Sequence, residues 1–173
     1  MTERGKFADA EAEIVNAALL RGQVEIGIVS GRPELNGILC RPLFGDAFGL
    51  VTAKVHPLMR KAARPLLLDL KNHAFVSNSL CTQIAWPAFQ ELLAATKDAA
   101  RNTLSSISMV RDGSRMTVLP ASVVSIIPKH LAFLEIAGLD QKRAVSLLTR
   151  KNCLCPELTE ECARFLSDQV AAA

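Results

Sequence analysis

The segment Ser77-Asn78-Ser79-Leu80-Cys81-Thr82 sets three hydroxyls, a carboxamide and a thiol between a β-prone run, Ala74 to Ser77, and a helical pattern that begins at Ile84. It carries no formal charge, so the chemistry open to it is recognition rather than bond breaking. Hydroxyl and amide groups, backed by the positive end of a helix, can hold a small carboxylate or a similar anion. In open α/β folds ligands sit outside the carboxyl ends of strands, where helix N-termini present free N–H groups. The other use of the same residues is structural, with Ser79 or Thr82 capping the helix. Thr103, Ser105 and Ser106 repeat the arrangement at the next helix start, behind Asn102, and capping is again the alternative.

Catalysis is not expected. The three histidines, His56, His73 and His130, read as loop or surface residues. The chain holds no glycine-rich phosphate loop, no Gly-x-Ser-x-Gly and no His-x-x-x-His. No cofactor and no metal follow from the pattern: Cys153-x-Cys155 lacks a second Cys or His pair at zinc spacing, and the thiols read as buried or bystander groups. An odd count of five cysteines fits reduced thiols rather than a disulfide framework.

With 173 residues and an apolar fraction of 50%, the chain can bury one good core or two small lobes. A net charge of +3 gives no concentrated basic surface for nucleic acid. No apolar run is long enough to cross a bilayer and the first residues open no signal-type stretch, which predicts a cytoplasmic protein with no membrane partner.

Two α-to-β corners organise the chain. Asp9 to Arg21 carries Ile14, Val15, Ala18 and Leu19 at helical spacing and stops at Gly22, and the β-branched run Val24 to Ser30 follows, ended by Gly31-Arg32-Pro33-Glu34. Helix, short break and buried strand read as half of a βαβ unit and so as parallel sheet. Helix Leu104 to Asp112, Gly113 and strand Met116 to Leu119, stopped by Pro120, repeat the step. Further strands are expected at Ile38 to Leu43, Phe48 to Ala53, Leu131 to Ile136 and Val145 to Thr149. Helices are expected at Pro65 to Leu70, Ile84 to Ala95, Ala121 to Ile127 and Pro156 to Val170. In the last, Leu158, Cys162, Phe165, Leu166 and Val170 form a stripe expected to dock on a sheet.

Several motifs in order carry a family resemblance. Leu20-Arg21-Gly22-Gln23-Val24-Glu25-Ile26-Gly27-Ile28 resembles leucine-x-glycine-x-x-aspartate-leucine-alanine-isoleucine, with Glu25 where aspartate is usual. Arg41-Pro42-Leu43 with His56-Pro57-Leu58, and Asp69-Leu70 with Ala74-Phe75-Val76, follow. Met109 to Pro120 resembles valine-x-x-glycine-x-glycine-x-x-x-leucine-proline, with Arg115 at the second glycine. Arg143 to Thr149 and the last helix complete a chain that resembles the regulatory domain of LysR-type transcriptional regulators.

That resemblance implies an α/β, two-lobed fold of the type 2 periplasmic-binding-protein kind. Lobe I would be residues 1–43 and 139–173, and lobe II residues 44–138. The helix-turn-helix has no counterpart here, and the chain opens beside the family's second strand, so lobe I is expected to be incomplete and to leave an edge or apolar face that favours dimerisation or low solubility. It further implies a small, anionic effector, bound by Ser77, Asn78, Ser79, Cys81, Thr82 and Thr103 and, from lobe I, by Lys6, Phe7, Ser30 and Arg32. Arg32 is the residue whose planar fork suits a carboxylate, and a solvated turn arginine is the other reading. Binding would close the lobes and rearrange a homo-oligomer, a dimer of these domains and a tetramer at full length, that touches DNA only through the missing domain. Some members sense peroxide through a cysteine, but no second cysteine stands at that spacing from Cys81 and no cation adjoins it. An enzyme or a solute-binding protein built on the same two lobes is the competing function.

Overall fold

In the computed structural model residues 12–61 and 63–171 are described. The chain divides into two compact units: the first takes the chain up to Gly45 and again from Ala144, and the second is the uninterrupted stretch Asp46–Arg143.

In the first unit, helix α1 (Ala12–Leu20) ends in a Schellman turn. Gln23 N–H donates to Ala18 O at 2.9 Å and Gly22 N–H to Leu19 O at 3.0 Å, with Gly22 at φ 69°. Strand β1 (Ile26–Ser30) follows, and a Cβ added at Gly27 would lie 2.5 Å from Val15 Cγ1, so the helix rests directly on the strand backbone. The expected parallel pairing is corrected here. β1 runs antiparallel to β7 (Lys142–Arg150), Ile26 opposite Thr149 and Ser30 opposite Val145. A short helix–strand corner fixes which face packs on the helix and leaves the choice of neighbouring strand to tertiary contacts. Leu19, Val29, Ile38 and Leu148 make a small core. Helix α5 (Pro156–Ala171) is held by the two-pronged Arg41–Glu160 pair, both contacts 2.8 Å. Its buried side chains are Thr159 and Ala163, whereas Leu158, Cys162 and Phe165 of the expected docking stripe are exposed. Small residues allow the closer backbone approach, and that decides which face packs.

The second unit is a five-strand arrangement ordered β6, β2, β5, β3, β4. The two strands expected at 38–43 and 48–53 are one, β2 (Ile38–Ala53), since Phe44 to Ala47 stay extended despite Gly45 and Asp46. Its second half pairs antiparallel with β5 (Arg115–Pro120) and β6 (Leu131–Glu135). β3 (Ala74–Asn78) pairs parallel with β5 and with a strand the sequence did not announce, β4 (Asp98–Ala100). Helices α2 (Leu67–Leu70), α3 (Pro87–Ala95) and α4 (Thr103–Met109) connect them. One core cluster gathers Phe48, Leu50, Phe75, Ile84, Phe89 and Met116, and another Val51, Val76, Ile107, Val110 and Leu119.

Two residues flagged by the sequence find physical roles. Gly113 sits at φ 77°, the left-handed stop that closes α4. Arg115, where the resembled family has glycine, reaches Asp98 of β4, Nε to Oδ2 3.0 Å, and ties that three-residue edge strand to the start of β5.

His56 is buried, accepts the Leu58 N–H at Nδ1 and stacks edge-on against His73 with ring centroids 4.7 Å apart. Burial first, and the neighbouring His73 second, hold its pKa below the ordinary imidazole range. A depressed histidine pKa means the unfolded chain binds the proton more readily. The stability this site contributes is therefore complete above about pH 6.5 and is lost as pH falls below that. Melting temperatures recorded from pH 8 to pH 5 should fall over the acid half of the range, and His56→Asn, whose carboxamide can still accept the Leu58 N–H, should flatten that fall.

Candidate functional site

Parallel pairing aligns the carboxyl ends of three strands. Val76 opposes Asp98 and Asn78 opposes Ala100, and Val76 also opposes Thr117, so β3, β4 and β5 deliver their following loops to one edge of the sheet. β2 is antiparallel to β5 with Phe48 opposite Pro120, which puts Asp46 at the same edge. The residues gathered there are Ser77 to Thr82 after β3, Arg101 to Thr103 after β4, and Ala121 to Ser122 after β5.

Within the first loop the side chains divide between inside and outside. Asn78 is buried and fully used: Nδ2 donates to Thr117 Oγ1 at 3.0 Å and to Val118 O at 3.1 Å, while Oδ1 accepts the N–H groups of Leu80 at 3.0 Å and Cys81 at 3.3 Å. It builds the turn and has nothing left for a ligand. Ser77 Oγ donates to Asp98 O at 3.0 Å and braces β4. Ser79 and Thr82 are exposed, with Thr82 Oγ1 donating to Ser79 O at 2.7 Å. Neither caps the following helix. That helix starts at Pro87, not Ile84, behind Trp86, because proline fits the first turn where its missing donor is not needed. A three-residue 3-10 turn, Cys81–Gln83, fills the space, so no helix N-terminus backs this loop.

Cys81 points the other way. It is fully buried, Sγ lies 3.6 Å from Val118 O, and burial pushes its thiol up to about 11. A neutral, enclosed thiol is neither a peroxide sensor nor a contact on the ligand-facing side. Treating the native protein with iodoacetamide should label exposed Cys155 and Cys162 and leave Cys81 unmodified until denaturant is added; labelling of Cys81 at the pace of the other two would contradict its enclosure.

At the second loop the cap of α4 is Asn102 rather than Thr103. Asn102 Oδ1 accepts the Ser105 N–H at 2.9 Å and its carbonyl accepts from Ser106 Oγ at 3.0 Å, which leaves Thr103 half-buried in the first turn. Arg101, exposed beside it, is the cation that sequence reading passed over, because the strand that presents it is only Asp98-Ala99-Ala100. Ser122 N–H and Arg143 Nη2 share the buried Asp46 carboxylate, at 3.0 and 2.8 Å.

The remaining expected residues lie in the first unit or outside the described residues. Ser30 closes β1 and is half-buried, and Arg32 is exposed in the turn that follows, beside Gly31 at φ 95°. Lys6 and Phe7 fall outside the described residues. The structure thus brings together Ser77, Asn78, Ser79, Thr82 and Thr103 at one sheet edge, turns Cys81 inward, and adds Arg101. No group of three or more His, Cys, Asp or Glu side chains suited to a metal ion occurs among the described residues, and none of the described helices is long and apolar enough to cross a membrane.

Comparison with known proteins agrees with this architecture. The reduced OxyR regulatory domain from Pseudomonas aeruginosa superposes with a TM-score of 0.72 at 20% identity, over 94% of this chain and 80% of that one. The BenM effector binding domain with its effector benzoate gives 0.71 at 16% identity, over 94% and 76%. CbnR, a LysR family transcriptional regulator, gives 0.68 at 18% identity, and the chain spans 54% of its length. No curated protein sequence matches. The fold is that of LysR substrate-binding domains, of the type 2 periplasmic-binding-protein kind. The family model described as the LysR substrate binding domain matches residues 9–171, and the chain therefore belongs to that family.

Proposed function

We propose that this chain is the effector-sensing part of a LysR-type transcriptional regulator and that it binds a small carboxylate or similar anion. The observation that carries the reading is the shared carboxyl edge of β3, β4 and β5, where the loops that carry exposed Ser79, Thr82 and Arg101 leave neighbouring parallel strands. A ligand class follows from the charges. The acid at that edge, Asp46, is buried and already paired, so the exposed formal charge among the loop residues is the Arg101 guanidinium, which suits an anion. Hydroxyls beside it can orient the anion without adding charge. The response we propose is the family-implied one, closure of two lobes and rearrangement of a homo-oligomer carrying DNA-binding domains. Such a response needs a difference in affinity between two states of about 5 kcal/mol to be decisive, and no chemical step.

Thermal-shift measurements with benzoate and a set of small mono- and dicarboxylates test this, since a ligand that binds only the native state raises its melting temperature. At least one carboxylate should give a concentration-dependent rise that is lost in Thr82→Ala and in Arg101→Gln. Arg32→Ala asks whether the first unit contributes. A rise that persists in both Thr82→Ala and Arg101→Gln would remove the proposed edge as the site.

A further inference from the structure

Two glutamines, distant from each other in the chain, grip the segment that carries Thr82. From α3, Gln90 Nε2 donates to Cys81 O at 3.3 Å and to Ile84 O at 2.6 Å. Gln141 uses both halves of its carboxamide: Oε1 accepts the Ala85 N–H at 2.6 Å and Nε2 donates to Gln83 O at 2.5 Å. An acceptor set against an N–H and a donor against a carbonyl also fix which way that amide faces. Trp86 adds an apolar contact, its ring 3.8 Å from the place a Cβ would take at Gly138, whose φ of 83° turns the chain three residues before Gln141.

The turn depends on such support. Short 3-10 pieces have poorer hydrogen-bond geometry than an α-helix, and Cys81–Gln83 is closed by Gln83 N–H to Leu80 O at 3.1 Å and Ile84 N–H to Cys81 O at 3.2 Å. Thr82 and Gln83 are exposed, so water competes for the backbone groups there. Gln141 stands directly before β7, the strand that carries the chain out of the second unit after Arg143.

We propose that Gln141 is a positioning residue for effector recognition: its carboxamide fixes the 81–85 turn, and with it the Thr82 hydroxyl, to the segment by which the chain leaves the second unit. A turn already held in one arrangement spares a ligand the cost of ordering it, and that is how a residue touching no ligand acts on affinity. The same link makes movement of the turn and of the segment before β7 a joint event. The positioning role rests on the effector reading above; the clamp on the turn does not.

The experiment replaces Gln141 in the full 173-residue chain. Gln141→Met keeps the length of the side chain and removes both hydrogen bonds, whereas Gln141→Glu keeps an acceptor and loses the donor at neutral pH. Without ligand, exchange of the Ala85 amide with water, read by NMR, should speed up about fivefold in Gln141→Met while the melting temperature barely moves. In Gln141→Glu the Gln83 carbonyl carbon should lose its wild-type chemical shift at pH 7. It should recover that shift as pH falls to about 4–5, because the neutral acid again sets one donor beside one acceptor, and a side chain that only fills space gives no such titration. With any carboxylate that raises the wild-type melting temperature, Gln141→Met should weaken binding about five- to tenfold. An Ala85 exchange rate unchanged in Gln141→Met overturns the clamp, and faster exchange with undiminished carboxylate affinity overturns the positioning role. If no carboxylate binds the wild type, the effector reading falls, and exchange and titration alone decide the clamp.

Discussion

Asn78→Ala should destabilise the protein by about 3–5 kcal/mol, at the upper end of single-residue effects. The side chain satisfies four partners at once and all four lie in or against the sheet: Thr117 Oγ1, Val118 O and the N–H groups of Leu80 and Cys81. Alanine leaves the Leu80 and Cys81 N–H groups unmet, each costing about 1–3 kcal/mol before the loop relaxes toward water, and takes one donor from Thr117 Oγ1, which keeps Val76 O, and one from Val118 O, which keeps the Cys81 thiol. Thr117 Oγ1 has already spent its hydrogen on Val76 O at 2.8 Å and can only accept from Asn78. Asn78→Asp should therefore fare no better at neutral pH, because its second oxygen would meet two acceptors. Protonation would restore one donor, so the aspartate variant alone should gain relative stability as pH falls. Urea unfolding of both variants at pH 7 and pH 5 checks this, and an Asn78→Asp chain as stable as wild type at pH 7 would remove the hydrogen-bond account. A corollary concerns binding: if the proposed edge is the site, Asn78→Ala should weaken carboxylate binding through loss of the turn, without any contact of its own.

Gly49→Val should destabilise by about 2–4 kcal/mol, and Gly49→Ala by somewhat less, through overpacking. A Cβ at this position would lie 2.2 Å from Phe133 Cζ and 2.7 Å from two further ring atoms, well inside van der Waals contact. Phe133 opposes Val51 across the β2–β6 pair, so its ring lies diagonally over the bare backbone of Gly49. The clash belongs to the pair. Phe133→Leu by itself should cost stability, yet combined with Gly49→Ala it should cost less than the sum, with a coupling of about 1–2 kcal/mol. Denaturation midpoints of the four chains in that cycle decide it, and strict additivity would mean that the ring swings away freely.

Much of this could be read before the structure was known, for identifiable reasons. The two α-to-β corners announce themselves because Gly22 and Gly113 stand where only a positive φ closes the helix, and both adopt it. Elements with a weak local signature escaped. β4 is an aspartate and two alanines, poor strand formers held in place by β3 and by the Arg115–Asp98 pair. Gly45-Asp46 looks like a turn in sequence, yet Asp46 is drawn into the extended strand by Ser122 and Arg143, which are distant in the chain. The same limit applies at the site. Composition marked 77–82 as a polar loop, but which side chains look outward depends on the Asx-type turn at Asn78. No spacing rule separates a cysteine that lines a surface from one sealed beneath it.

Because Asp46–Arg143 is continuous whereas its companion needs both ends of the chain, the two units face different prospects during synthesis. A nascent chain emerging from the ribosome holds everything the inner segment needs once Arg143 has cleared the exit tunnel. β1 must wait for β7, its antiparallel partner, and meanwhile exposes an unpaired edge. Vectorial translation should therefore mature the central segment first, and the interval before residues 144–171 appear is when this polypeptide is most prone to aggregate.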